Sequence, residues 1–234
     1  GPPRAPGSGW GAESAHGLLD RLASAHSCVG SVSPSVALLG ATLAPPATVL
    51  TPPGVAVSLA RTLPAYNPAA ARRAFDQAGF QGDINLYFST NSTVGRVGLD
   101  LQDQLSSATG RTVTLHPVGD FFRQASLDQL PVIIDTWTAD YPYPSDVLEN
   151  LLRTNAQFNN LHLSDPQVDA ALEQGKKATT FEAAMKAYQQ AESIAITDNR
   201  LVPLYSGAEP YLVRSGVSVP FVGGSVAYRW EDVR

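Results

Sequence analysis

The chain has 234 residues, enough for one large domain or two small ones, and its 44% hydrophobic and 16% charged residues are an ordinary globular balance. A net charge of −5 with no run of Lys or Arg excludes the clustered positive charge of a nucleic-acid or anionic-membrane footprint. The single cysteine, Cys28, excludes an intramolecular disulfide and argues against a cysteine-built metal site.

Residues 1–17, rich in Gly, Pro and Ser, read as a disordered or linker segment. Residues 18–66 read as a Pro-rich lead-in and connector, with a short helix between Leu18 and His26. No charged residue occurs from Leu22 to Ala60, but Pro34, Pro45, Pro46, Pro52 and Pro53 interrupt this stretch, so the roughly 20 unbroken apolar residues of a membrane span are not available. The N-terminus shows no basic stretch followed by an apolar one, as expected of a mature, truncated or cytoplasmic chain.

Residues 67–234 form the third expected unit. Asn67-Pro68 places an N-cap before a proline at the first helical position and opens a helix with Ala71, Ala74, Phe75 and Ala78 inward and Gly79 as its stop. Ile84 to Ser89 reads as a strand. Thr93 then caps a helix whose Val94, Val97, Leu101, Leu105 and Ala108 share one face, and Gly110 ends it. Thr112 to Pro117 is a second strand, Gly119 to Gln129 a short helix and Val132 to Thr136 a third strand. This alternation predicts a mainly parallel sheet flanked by helices, with Ile84, Leu86, Val113, Leu115, Val132 and Ile134 buried. Three more helices follow: one capped by Ser145, one opened by Asp165-Pro166 with Val168, Ala171 and Leu172 inward, and a long one starting in the capping box Thr179-Thr-Phe-Glu182. The long helix should turn Phe181, Ala184, Tyr188, Ala191 and Ala195 inward, and late strands are expected at Leu201–Tyr205 and Tyr211–Arg214.

The stretch Trp137-Thr-Ala-Asp-Tyr-Pro-Tyr-Pro144 carries the most functional information. It follows the apolar run from Pro131 to Thr136, and its prolines cannot continue a sheet ladder, so the chain turns where Asp140 sits. In open α/β sheets ligands bind outside the carboxyl ends of strands, where this turn falls. The bland reading of Asp140 is a turn-capping carboxylate, and that of Trp137 a core residue. Neither Gly-x-Ser-x-Gly nor a phosphate-binding Gly loop ending in Lys-Ser or Lys-Thr occurs, which removes support from two large enzyme classes. His26 and Cys28 provide two ligands where zinc needs three or four, so no metal site and no cofactor are expected. Asp135 with Asp140 is too unspecific to define an acid/base pair, and Asn91-Ser-Thr93 matches a glycosylation acceptor that a helix-capping loop explains as well.

Several ordered segments resemble the family 5 extracellular solute-binding proteins, the peptide and nickel receptors of ABC importers. They are Asn67-Pro-Ala-Ala-Ala-Arg-Arg-Ala-Phe-Asp-Gln-Ala-Gly-Phe80, Leu101-Gln-Asp-Gln-Leu105, Trp137-Thr-Ala-Asp-Tyr-Pro142, Leu163-Ser-Asp-Pro-Gln-Val-Asp-Ala-Ala-Leu172, Tyr188-Gln-Gln-Ala-Glu192 and Val202-Pro-Leu-Tyr205. Pro52-Pro-Gly54 echoes the family's connector. The resemblance implies a type II periplasmic-binding-protein-like lobe, non-enzymatic, on the periplasmic or extracellular face of the membrane, with any signal or anchor outside this chain. It implies that Asp140 binds the α-amino group of a peptide and that Trp137, Thr138 and Tyr141 line the same cleft. Its implied partners are the peptide or another small-molecule ligand, ABC permease subunits and an N-terminal lobe that the chain lacks. Two departures stand out: Tyr143 replaces a small or acidic residue, and Leu127-Asp-Gln-Leu-Pro131 replaces the usual Gly-x-Asp-containing lead into the strand. The rival expectation is a sensor or scaffold lobe that does not take part in transport.

Overall fold

The computed structural model describes residues 47–55, 67–90, 94–121, 123, 130, 132–160, 162–197, 201–207 and 214–218. The expected linker at 1–17, the helix between Leu18 and His26, the His26/Cys28 pair, the Asn91-Ser-Thr93 signal with its Thr93 cap, most of the helix expected at 119–129 and all but Arg214 of the strand expected at 211–214 lie outside the described residues.

Helix α1 (Pro68–Gln77) starts as its sequence demands. The Asn67 side chain accepts from the Ala70 N–H at 2.9 Å, and Pro68 occupies the first turn where no N–H is missed. Gly79 ends it at φ +67°, a left-handed conformation that costs glycine little. Strand β1 (Ile84–Ser89) alternates buried Ile84, Leu86 and Phe88 with half-buried Asn85, Tyr87 and Ser89. Helix α2 (Val94–Thr109) and strand β2 (Val113–Val118) follow, with Gly110 at φ +71° between them, and strand β3 (Ile133–Ile134) completes a sheet of order β2-β1-β3. Both ladders are parallel, Ile84 beside Val113 and Phe88 beside Ile134. The parallel sheet flanked by helices is therefore as expected. Of the residues expected in its core, Ile84, Leu86, Val113 and Ile134 are buried, whereas Leu115 and Val132 are only partly so.

The third strand is shorter than the expected Val132–Thr136. Its ladder stops because Asp135 Oδ1 accepts the Thr136 N–H at 2.8 Å, a local bond in place of a strand partner, and both residues are exposed. Pro117 is tolerated in β2 because that strand has no partner on its outer side among the described residues.

The apolar face of the sheet meets α1 and α2 in one cluster that includes Ala71, Phe75, Leu86, Phe88, Val94, Val97, Leu101 and Ile134. Gly98 lets α2 lie close: a Cβ there would sit 3.5 to 3.7 Å from Ile134, Leu115 and Phe88, one side chain from each strand. Arg111 ties β2 to α1, with its guanidinium 5.7 Å over the Phe75 ring, 5.6 Å over the Phe80 ring and 3.1 Å from Asp76. On the other face, Tyr87 stacks on His116 at 4.6 Å, and the His116 ring shares a 2.8 Å hydrogen bond with Asn85.

A second cluster is helical. Helices α3 (Pro144–Leu152), α4 (Pro166–Lys177) and α5 (Phe181–Thr197) pack Val147, Leu148, Leu152, Val168, Leu172, Ala184, Tyr188 and Ala191 together. The α4 start is as read, with Asp165 accepting from Gln167 N–H and Val168 N–H and with Val168, Ala171 and Leu172 buried. Three details differ from expectation. Helix α3 begins at Pro144, whose fixed φ suits the first helical position, so Tyr143 is the N-cap and Ser145 lies inside the helix. Helix α5 is capped by Thr180, whose hydroxyl accepts the Ala183 N–H at 3.3 Å, not by Thr179. Phe181 consequently sits at the first turn with 58% of its surface exposed rather than inward.

The connector at 47–55 lies against this helical cluster. Pro52 to Val55 makes a type II turn, with Gly54 at φ +92° and the Val55 N–H donating to the Pro52 carbonyl at 3.1 Å. Glu192, buried on α5, accepts the Leu50 and Thr51 N–H groups at 2.7 Å each and the Thr51 hydroxyl at 3.1 Å. Ala47 N–H donates to the Leu204 carbonyl at 3.2 Å, so residues 201–205, expected as a strand, run as irregular chain with one bridge at Tyr205. No described helix is long and apolar enough to cross a membrane.

Candidate functional site

The nine residues from Asp135 to Tyr143 connect the end of β3 to the start of α3. Ala139 is buried in the helical cluster while its neighbours Thr138 and Asp140 are exposed, so the turn is pinned at one residue and presents the flanking side chains outward. Tyr143 N–H donates to the Tyr141 carbonyl at 2.8 Å as the chain reverses through Tyr141-Pro142.

One carboxylate organises this turn, and it is not the one singled out from the sequence. Asp146, in the first turn of α3 and only 1% exposed, accepts the Trp137 indole N–H at 2.8 Å and the Asp140 N–H at 3.2 Å, both on Oδ2. Its own N–H donates to the Tyr143 carbonyl at 3.1 Å, and its carbonyl accepts from the Asn150 amide at 2.6 Å. A carboxylate in the first turn of a helix also suits the helix dipole. The sequence signal was available: an acidic residue shortly after the proline that opens a helix, following a tryptophan whose indole needs an acceptor when half-buried.

Asp140 does not cap its own turn: Pro142 has no N–H, and the Tyr143 N–H goes to the Tyr141 carbonyl. Among the described residues no hydrogen bond or ion pair engages the Asp140 carboxylate, which stands exposed. Trp137 is half-buried, edge-on to Phe158 at 5.0 Å and 66°, and packed against the helical cluster. It forms a wall behind the turn rather than a free platform. Tyr141 is 47% exposed, and its hydroxyl lies 3.1 Å from Ser145 Oγ. Trp137, Thr138, Asp140 and Tyr141 are neighbours on one turn. Asp135 faces elsewhere, bonded to the Asn160 amide at 3.1 Å, and forms no acid/base pair with Asp140. Although Asp135 is exposed as a residue, crowding of its carboxyl by neighbouring atoms raises its pKa, against the lowering effects of the Thr136 N–H and the Asn160 amide.

The loop behind the turn is held by Asn159, whose side chain donates to the Arg153 and Leu163 carbonyls and accepts the Leu163 N–H. Tyr188 lies under α3 with its phenol pushed up to about 12, mainly by burial and then by the charges of Glu149, Tyr143 and Tyr141. Among the described residues no group of three or more His, Cys, Asp or Glu is placed to hold a metal ion.

No family model matches the chain. It is 27% identical over 176 residues to the probable ABC transporter periplasmic-binding protein SapA of Escherichia coli, covering 69% of this chain and 32% of that one. It is 26% identical over 199 residues to the probable deoxycholate-binding periplasmic protein YgiS of Escherichia coli, covering 80% and 36%. The chain therefore spans about a third of the length of these curated relatives. Its fold superposes on the unliganded open form of the periplasmic murein tripeptide binding protein MppA with a TM-score of 0.74 at 20% identity, over 88% of this chain and 42% of that one. The architecture is that of a type II periplasmic-binding protein, and the homologues and structural neighbours of this chain are family 5 periplasmic solute-binding proteins, matched over a part consistent with one lobe.

Proposed function

We propose that this chain is a ligand-binding lobe of a substrate-binding protein that serves an ABC importer outside the cytoplasmic membrane, without catalytic activity, and that Asp140 receives the free amino group of a peptide. In this reading residues 67–234 form the second lobe, residues 18–66 lead into it, and another lobe supplies the facing wall of the cleft. Permease subunits are the further partners.

The observation that carries the ligand class is the state of Asp140. Its carboxylate is exposed and, among the described residues, unengaged, in the turn that follows a parallel strand. The relatives differ in what their names say they bind, a murein tripeptide for MppA and deoxycholate for YgiS. A free carboxylate attracts an ammonium and repels an anionic sterol, which favours the peptide.

The test is Asp140→Asn in the parent protein, titrated by calorimetry with a tripeptide and its N-acetylated form. A charge pair lost on one side costs about 2–5 kcal/mol when desolvated, so affinity for the free peptide should fall at least about tenfold. The acetylated peptide and the melting temperature should hardly change. Equal losses for both peptides, or a loss of stability alone, would make Asp140 structural.

A further inference from the structure

We propose that Asp146 is a positioning residue for the amino-group site, fixing where the Asp140 carboxylate stands relative to the Trp137 wall; this rests on the reading of Asp140 given above.

Three observations meet at Asp146. A single oxygen, Oδ2, accepts from both the Trp137 indole at 2.8 Å and the Asp140 backbone at 3.2 Å, so the separation between the ring and the Asp140 backbone is set by one atom. That atom is anchored to a rigid element, since Asp146 lies in the first turn of α3, with its N–H on the Tyr143 carbonyl and its carbonyl capped by Asn150. The residue is buried to 1% exposure, so water does not replace it as acceptor. The covalent chain from Asp140 to α3 runs through bends and two prolines and contributes one backbone bond, Tyr143 N–H to Tyr141 carbonyl, to hold its shape. Without Asp146 the turn keeps the buried Ala139 as its pin, and Asp140 is free to swing about it. A site that recognises an ammonium by one carboxylate depends on that carboxylate being held in place before the ligand arrives, because a contact that must first be ordered is weaker by the cost of ordering it.

Asn at this position keeps an oxygen that can accept both donors. Ala keeps none. Thr nearly fills the space, but its hydroxyl is one bond too short to reach either donor.

The experiment compares wild type, Asp146→Ala, Asp146→Asn and Asp140→Asn in the parent protein, titrated by calorimetry with trialanine and N-acetyl-trialanine. Asp146→Thr replaces the alanine variant if the latter does not fold. Wild type should prefer the free peptide, and Asp140→Asn should lose that preference. Asp146→Ala or Asp146→Thr should reduce it by about five- to tenfold, a change of order one ordinary hydrogen bond, whereas Asp146→Asn should restore it to within about twofold. A folded Ala or Thr variant with full preference overturns the positioning role and leaves the Asp140 reading standing. An Asn variant as impaired as Ala overturns it too, because charge at the helix start would then be the active factor. Wild type without preference, or Asp140→Asn with it intact, overturns the Asp140 reading itself and the positioning role with it.

Discussion

Removing the Glu192 carboxylate should loosen the connector before it loosens the rest of the protein. Glu192→Ala strands the Leu50 and Thr51 N–H groups and the Thr51 hydroxyl, all now within 3.1 Å of Oε1. Thr51 is buried, so its N–H meets no water and costs about 1–3 kcal/mol when left unpaired, while Leu50 is half-buried and costs less. Relief of the desolvation of Glu192 itself acts in the opposite direction. The net loss should be about 3 kcal/mol, a large share of the roughly 5–15 kcal/mol that holds a typical domain together. Glu192→Gln keeps one acceptor oxygen and should cost only about 1 kcal/mol. Urea unfolding measures both, and hydrogen exchange locates the effect, with the Leu50 and Thr51 amides exchanging faster in the alanine variant under conditions where the α5 amides stay protected. If alanine and glutamine variants cost the same, below about 0.5 kcal/mol, or if the two amides exchange at the wild-type rate, the carboxylate is not what holds the connector.

Gly175→Ala should destabilise, although alanine gains about 1 kcal/mol over glycine within a helix, because its Cβ would meet Tyr188 ring carbons at 2.9 Å and overpacking costs about 1–3 kcal/mol. In a Tyr188→Leu background the sign should reverse, and a melting comparison of the four variants checks it. For Asp135 the folded pKa is raised, so the folded state binds its proton more tightly than the unfolded chain does. The contribution to stability is full below the unfolded carboxylate pKa and is lost as pH rises through the folded value. Asp135→Asn should therefore be relatively more stable than wild type at neutral pH than at low pH, and parallel stability curves for the two would refute the assignment.

Local signals in the sequence located most elements because those signals act locally. Asn67-Pro68, Gly79 and Asp165-Pro166 each satisfy or stop a helix through bonds within four residues, and the alternation in Ile84–Ser89 needs only the pleat of one strand. The misreadings arose where two local signals competed. Pro144 took the first helical position ahead of the Ser145 cap, and Thr180 displaced Thr179, which shifted Phe181 from an inner to an outer position. The site was legible as a turn but not as a mechanism. Asp140 and Trp137 could be placed together by proximity, whereas the acceptor that joins them belongs to the next helix, and its choice of donors depends on how the turn folds back. Glu192 is more remote still: its partners lie 141 and 142 residues earlier in the chain, and no periodicity connects them.

The placement of β1 between two parallel neighbours has a kinetic side. Neither ladder can form from a hairpin, since each requires the chain to travel through intervening structure before Val113 or Ile133 reaches the strand. Helices α4 and α5, separated only by Ala178, Thr179 and Thr180, meet with almost no loop to close. The helical cluster should accordingly become protected early and the sheet late, an order that pulse-labelled exchange would reveal as α5 amides guarded before those of β1. During synthesis Ile84-Asn-Leu-Tyr-Phe-Ser89 emerges with both edges open and waits for partners not yet made. In that interval the segment later at the centre of the described sheet is open to pairing with a neighbouring copy.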